Sequence, residues 1–273
     1  MCRPLLFVVC AALLTTAAPA QKLVRTGLDA GYYDMYNLDF AAAHEVFGDW
    51  IKAHPDDPLG PASDAAAFLF SEFDRLGVLD VELFTDDDTF TSRKKLPPDP
   101  KTRHDFEDRA SQGERLARAT LQKNPRDAQA LYALTLISGL RSDMAAMIDK
   151  KDYAALKLTE QGSKLAAQTL ASDPNLYDAH IAVGVENYML ALKPAVMRLF
   201  LFMRGDAMDK EEGIRQIRIC AEKGHYLAPF ARLMLAVTDL RAGNKAHARE
   251  MLRGLATEFP QNTLYRRQLD RIR

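Results

Sequence analysis

Apolar and polar residues alternate with a helical period along almost the whole chain from Val24 onward. Alanine, leucine and charged residues dominate, and runs of β-branched residues are rare, which favours helix over strand. Short polar breaks interrupt the pattern at Pro55, Pro125, Pro174 and Pro260. Proline has a fixed φ and lacks an N–H, so each break predicts the end of one helix and the start of another. The pattern therefore predicts an all-α fold.

The helix before each break repeats one spacing. A small residue stands twelve positions before the proline, and an apolar or small residue stands eight positions before it. The small residue lets two helices approach closely, and the second residue packs beneath it. The four pairs are Ala43 and Phe47, Gly113 and Ala117, Gly162 and Ala166, and Ala248 and Leu252. Such a recurrence predicts repeated helical hairpins.

These residues resemble the tetratricopeptide repeat (TPR), a helix pair of about 34 residues with small residues at the helix crossing and a proline near its end. Gly31 and Gly184 match the small residue of its first helix, and Gly243 matches a later glycine. The resemblance covers most of residues 21–273. It implies an α-solenoid of about five irregular TPR-like helix pairs, closed by a C-terminal capping helix at residues 263–273.

The breaks lie farther apart than one repeat, so we expect insertions at residues 84–103, 141–152 and 191–213. The third insertion, with its apolar stretch, Gly-Asp turn and following helix, resembles a segment of the divergent TPR family of inclusion-body clearance proteins. The whole chain is also similar to exported bacterial TPR proteins, for which a binding role is expected.

The N-terminus "MCRPLLFVVCAALLTTAAPAQ" has the three-part plan of a secretory signal: one arginine, an apolar run, and small residues ending at Ala20. The alternative is an uncleaved anchor, but the apolar run is well short of the ~20 residues needed to span a bilayer. We therefore expect a signal peptide at residues 1–20 and a periplasmic or secreted protein without a membrane span.

Composition narrows the class of function. The chain has 36 Lys and Arg against 37 Asp and Glu, without the basic excess typical of nucleic-acid binding. Signal cleavage would leave Cys220 as the single cysteine, which excludes an internal disulfide and a cysteine metal cluster. On its apolar helix face, Cys220 is expected to be a small buried hydrophobe.

Motifs for catalysis and cofactors are absent from the sequence. The six histidines show no metal-ligand pairing, and there is neither a Gly-x-Ser-x-Gly motif nor a phosphate-binding glycine loop. The acidic run at residues 86–88 lacks the spacing of a calcium loop. We therefore expect a non-catalytic protein without a metal or cofactor, although an enzyme with a dispersed cluster of titratable groups stays an alternative.

The TPR resemblance implies that the first helix of each pair lines a concave groove. Carrying the groove positions over by register gives one set of predicted binding residues. Tyrosines offer large rigid contact areas with a hydrogen-bonding tip, which suits recognition. The alternative is that they fill gaps between helices. The set is Tyr32, Tyr36, Gln129, Tyr132, Asp178, Tyr188 and Met189.

Two functional hypotheses follow. The first is an exported, non-catalytic scaffold that binds a protein or peptide in its concave groove. The second is a periplasmic small-molecule carrier or transporter accessory protein, in which the 191–213 insertion closes a pocket and its apolar stretch at 197–203 acts as the lid. An open groove would favour the scaffold, and a closed apolar cavity would favour the carrier.

Overall fold

The structure is a computed structural model that describes residues 25–79, 85, 97–191 and 209–272. These residues form eleven α-helices and no strand. The first five are α1 (Leu28–Tyr36), α2 (Phe40–Ala53), α3 (Leu59–Leu76), α4 (Pro100–Lys123) and α5 (Ala128–Asp143). The others are α6 (Asp152–Ser172), α7 (His180–Ala191), α8 (Lys210–Lys223), α9 (Ala228–Arg241), α10 (Lys245–Glu258) and α11 (Thr263–Arg271). A π-helix at Met144–Ile148 follows α5, and a 3₁₀ turn at Tyr177–Ala179 precedes α7.

Each helix packs against the next helix along the chain. The helices therefore form five pairs, α1/α2 to α9/α10, and α11 covers the end of the last pair. Each pair buries its apolar face only by stacking on its neighbours, as in a helical solenoid. This arrangement confirms the predicted all-α solenoid and its capping helix.

The proline breaks end the helices as predicted. The residue before proline is sterically excluded from helical geometry. All four pre-proline residues leave the helical region, with φ between −121 and −141°, while their N–H groups still bond the preceding turn. These residues are His54, Asn124, Asp173 and Phe259. In "NPRDAQAL" the carboxylate of Asp127 then accepts the N–H of Ala130 at 2.9 Å, which starts α5.

The repeated small and apolar residues before each break are all buried, so the hairpin pattern is confirmed. Helices α7 and α8 approach each other closely at two glycines. A Cβ added to Gly213 would lie 2.7 Å from the backbone N of Tyr188, and one added to Gly184 would lie 2.9 Å from the carbonyl of Gly213. Only glycine at both positions leaves room for this crossing.

The expected insertions differ from the structure at their edges. Residues 141–152 are mostly helical, because α5 reaches Asp143 and the π-helix buries Met144, Met147 and Ile148. The 84–103 insertion ends early, since Asp99 caps a helix that begins at Pro100. Its residues 84 and 86–96 lie outside the described part of the chain, as do the signal segment 1–20 and residues 192–208.

The core runs through all five pairs, with a smaller cluster between α7, α8 and α9. Cys220 is fully buried in that smaller cluster, as expected, and burial raises the pKa of its thiol. Among the helices of the described segments, none has the length and apolar character required to cross a membrane.

Candidate binding cleft where the first helix meets the last pair

The predicted binding residues divide into a buried set and an exposed set. Only Gln129 and Met189 face solvent. The four tyrosines and Asp178 are each less than 9% exposed: Tyr32, Tyr36, Tyr132, Asp178 and Tyr188. The expected open row of tyrosines is therefore corrected, because these rings are part of the core: Tyr32, Tyr36 and Tyr132 lie in the main cluster and Tyr188 in the smaller one. Their role in binding stays a prediction.

The two ends of the described chain meet. The hydroxyl of Tyr36 donates to the carbonyl of Tyr226 at 2.9 Å, and the side-chain amide of Asn262 donates to the carbonyl of Tyr36 at 2.7 Å. The N–H of Gln261 donates to the side chain of Asn37 at 3.0 Å. Helix α1 is thereby fixed against the segment before α9 and the start of α11.

Tyr32 lies at the centre of this contact. Its ring stacks on Tyr226 at 4.7 Å and meets the edge of Phe47 at 5.5 Å. The hydroxyl of Ser63 donates to the Tyr32 hydroxyl at 3.1 Å. Burial raises the pKa of Tyr32 well above its usual range, so the phenol stays protonated at neutral pH.

Asp178 holds the segment that carries Tyr226. Its carboxylate accepts the backbone N–H groups of His225, Tyr226 and Leu227 at 2.7, 2.9 and 3.2 Å. The hydroxyl of Tyr132 also donates to it, at 3.4 Å. Burial raises the pKa of Asp178, and the three backbone N–H groups oppose that rise by stabilising the carboxylate. The predicted residues Tyr132 and Asp178 thus lie together, beneath the surface.

A cleft with a cavity volume of about 330 Å³ opens above this layer. It lies between the start of α1, the segment before α9 and the end of α10. Two predicted residues, Tyr32 and Tyr36, line its floor. The other lining residues are Arg25, Thr26, Asp29, Tyr33, His225, Tyr226, Pro229, Glu258 and Phe259.

The rings of the cleft form one continuous chain of contacts, which we call the aromatic arc. From one end it runs His225–Tyr226 (4.3 Å between centroids), Tyr226–Tyr32 (4.7 Å), Tyr32–Tyr36 (6.4 Å), Tyr36–Phe259 (5.3 Å) and Phe259–Tyr33 (5.7 Å). Each ring holds its neighbour. Tyr32, Tyr36 and Phe259 are buried within the arc, and Tyr33, His225 and Tyr226 are its exposed or partly exposed rings.

Charged groups stand at the rim of the aromatic arc. His225 Nε2 lies 2.6 Å from a carboxylate oxygen of Asp29, and a guanidinium nitrogen of Arg232 donates to Glu258 at 2.7 Å. The guanidinium of Arg25 lies over the ring of Tyr33, 3.8 Å from its centroid. Burial raises the pKa of Tyr226 to about 12, and the carboxylates of Asp29 and other acidic residues contribute to this rise.

A second cavity lies beside the cleft, between α1, α3, α9 and α11. Its lining includes Met35, Phe70, Phe230 and Leu264, but its volume is only about 40 Å³. A ligand site usually offers about 300 Å³ or more, so this cavity is a packing gap.

Side chains suited to metal binding do not cluster in the described segments, which contain no group of three or more His, Cys, Asp or Glu placed to hold a metal ion. Buried Asp64 binds His44 Nδ1 at 2.5 Å and Arg109 Nε at 2.6 Å. This network joins α2, α3 and α4, so we interpret it as an ion-pair network that stabilises the packing of these helices.

Most cleft residues were not predicted from the sequence. The groove register names positions within the first helix of each pair, whereas His225 and Tyr226 precede a helix and Phe259 ends one. One signal was available: α1 carries Tyr32, Tyr33 and Tyr36 within nine residues.

Comparison with solved structures shows a similarity of fold to a helical-repeat protein. The chain is similar to the crystal structure of a thermophilic TPR protein from Thermus thermophilus, with a TM-score of 0.44 and 14% sequence identity, over 90% of this chain and 96% of that chain. No protein-family model matches the sequence, and no curated protein matches it.

Proposed function

We propose that this protein is a non-catalytic helical-repeat scaffold that binds a short peptide segment of a protein partner in the cleft above Tyr32. The observation that carries the proposal is the aromatic arc lining a cleft of about 330 Å³. Aromatic side chains supply large contact areas at low entropic cost, and they dominate the energetics of protein interfaces.

The size of the cleft limits what can bind. Its volume is near the lower end of the ~300–1,000 Å³ range of ligand sites. It therefore takes a few side chains of an extended segment and not a whole helix. The proposed site therefore differs from the predicted one. The prediction was a long concave groove, whereas the proposed site is the cleft between α1 and the last helix pair.

The cleft is pre-organised. Asp178 fixes the segment 225–227, and Asn262 fixes α1 against the last pair. Rings that are already held in place lose little conformational freedom on binding, so more of the contact energy remains as affinity.

Selection from a random peptide library displayed on phage tests the proposal. Tyr33 is half-buried on the arc, and Tyr33→Ala should weaken binding of the selected peptides about tenfold or more. Tyr153 is a matched control, because it is 71% exposed and also lies beside a cation, Lys157. Tyr153→Ala should leave affinity unchanged. Equal affinities for the two variants, or no selected peptide at all, would contradict the proposal.

A small-molecule carrier is the second candidate, and the cleft volume favours it as well, since about 330 Å³ accommodates a small metabolite. The apolar stretch at 197–203, the expected lid, lies outside the described part. Native mass spectrometry of protein purified gently from its own host separates the candidates. A co-purifying small mass that disappears in Tyr33→Ala would establish the carrier, and a clean apo mass favours the scaffold.

We further propose that the protein acts after export. The three-part N-terminal segment supports this, with cleavage after Ala20. The mass of the protein isolated from its host should correspond to a chain that starts at Gln21. A mass that includes residues 1–20 would contradict export with cleavage.

A further inference from the structure

The charge of the cleft is the starting point. Two carboxylates line it, Asp29 and Glu258, against one guanidinium, Arg25. Glu258 is also bound by Arg232, while Asp29 is bound by His225. The side chains of Asp29 and Glu258 are 46% and 38% exposed, so both can still meet a ligand.

Acidic groups also act on Tyr226, one of the rings that line the cleft. Asp29, Asp178 and Asp57 each raise the pKa of Tyr226 electrostatically, in addition to burial. Burial is the largest cause of this rise in pKa, and the negative charges of the three carboxylates add to it. The exposed edge of Tyr226 therefore favours a positive group over a negative one.

One cation of the chain itself, the guanidinium of Arg25, already binds to a ring of the aromatic arc. Its guanidinium is seated on the face of Tyr33 at 3.8 Å, well within the ~6 Å reach of a cation–π contact. Tyr33 is backed by Phe259, whose ring is nearly fully buried. A cation on this face gains the attraction of the ring quadrupole.

We propose that the cleft recognises a basic side chain of its peptide partner, an ammonium or guanidinium seated on the aromatic arc and flanked by Asp29 and Glu258. This inference rests on the proposed function. The guanidinium of Arg25 already lies on the face of Tyr33, so it competes with the incoming cation for that face. The partner segment is therefore basic, and an acidic segment is rejected.

Isothermal titration of the full mature chain with three capped tripeptides tests the inference. Their central residue is arginine, citrulline or glutamate; citrulline is the neutral isostere of arginine. The arginine peptide should bind about tenfold more tightly than the citrulline peptide, and the glutamate peptide should bind most weakly. Tetramethylammonium serves as a free organic cation and should bind more weakly than the arginine peptide.

Two variants should act in opposite directions. Asp29→Asn should remove most of the preference for arginine over citrulline. Arg25→Gln should raise affinity for the arginine peptide about two- to fivefold, because it removes the internal competitor. Asp152→Asn, at an exposed residue on the distant start of α6, is the matched control and should change nothing. Far-ultraviolet circular dichroism confirms that each variant is folded.

The outcomes separate the two proposals. Equal binding of the arginine and citrulline peptides, tighter binding of the glutamate peptide, or no binding of the arginine peptide overturns the basic-ligand inference. If library-selected peptides still depend on Tyr33 in that case, the scaffold function stands without it. Tetramethylammonium binding as tightly as the arginine peptide assigns the site to a free organic cation and overturns the peptide ligand.

Discussion

The carboxylate of Asp178 accepts the backbone N–H of His225 at 2.7 Å, across 47 positions of sequence. Two further N–H groups, of Tyr226 and Leu227, bind the same carboxylate. One buried side chain thus replaces the missing hydrogen-bond partners of the segment that enters α9. The floor of the cleft depends on it, because this segment carries both His225 and Tyr226.

Asp178→Ala should lower the free energy of unfolding by at least about 3 kcal/mol, since each buried N–H left without an acceptor costs about 1–3 kcal/mol. Urea unfolding followed by circular dichroism measures the change. Asp152→Ala, at an exposed site, should cost less than about 0.5 kcal/mol. A loss for Asp178→Ala no larger than for this control would show that the segment 225–227 does not need the carboxylate.

The contact between the two ends of the chain depends on Asn262. Its amide donates to Tyr36, and its oxygen accepts the N–H of Leu264 at 2.9 Å, so Asn262→Ala should cost about 2 kcal/mol. Hydrogen exchange of α1 should quicken. Asn244→Ala, at an exposed helix start without a side-chain cap, is the control. Unchanged exchange in α1 would mean that the ends are held by other contacts.

A glycine-to-alanine substitution should have opposite effects at the crossing of α7 and α8 and at an uncrowded helix position. Gly213→Ala should destabilise the fold by about 1–3 kcal/mol, because the new methyl would press on the backbone of Tyr188. Gly139 lies within α5 and a Cβ there meets no neighbour, so Gly139→Ala should stabilise it by about 0.5–1 kcal/mol. Thermal unfolding measures both. The same sign for both changes would argue against the close crossing.

The end of α5 predicts a pH dependence of stability. Burial raises the pKa of Asp143 to about 7, above the value of about 3.9 in the unfolded chain. The folded state therefore binds this proton more tightly, and the resulting stabilisation, fully present below about pH 4, is lost as pH rises to about 7.

Asp143→Asn removes this titration. The variant should gain up to about 4 kcal/mol relative to wild type between pH 4 and pH 8, since a shift of about three pKa units corresponds to that difference. Urea unfolding at a series of pH values measures the difference, and Asp152→Asn should follow the wild-type curve. A constant difference between Asp143→Asn and wild type across this range would show that Asp143 titrates normally.

The fold could be predicted because its signals are local. Each proline forces the preceding residue out of the helix, and each small residue marks a helix crossing, so Pro125, Gly113 and Ala117 identify a hairpin without knowledge of the rest. The predicted insertion at residues 141–152 rests on the spacing of the proline breaks, which does not say how the extra residues fold. The structure makes them mostly helical, because α5 reaches Asp143 and is followed by a π-helix, which has no simple sequence signature.

The site could be predicted only in part. The register placed Tyr32, Tyr36, Tyr132 and Asp178 on one side of the solenoid, and the structure brings all four together. Whether that side is open depends on the curvature of the array, which sequence spacing does not fix. The contacts that complete the cleft join residues about 190 positions apart, such as Tyr36 and Tyr226.

Hydrogen exchange of the mature protein, with and without a library-selected peptide, tests the central claim most directly. Bound peptide should slow exchange in α1 and around residues 225–230, at the two sides of the aromatic arc, and should leave α5 and α6 unchanged. Protection confined to α5 and α6, with α1 unaffected, would contradict a binding cleft at the meeting of the two ends.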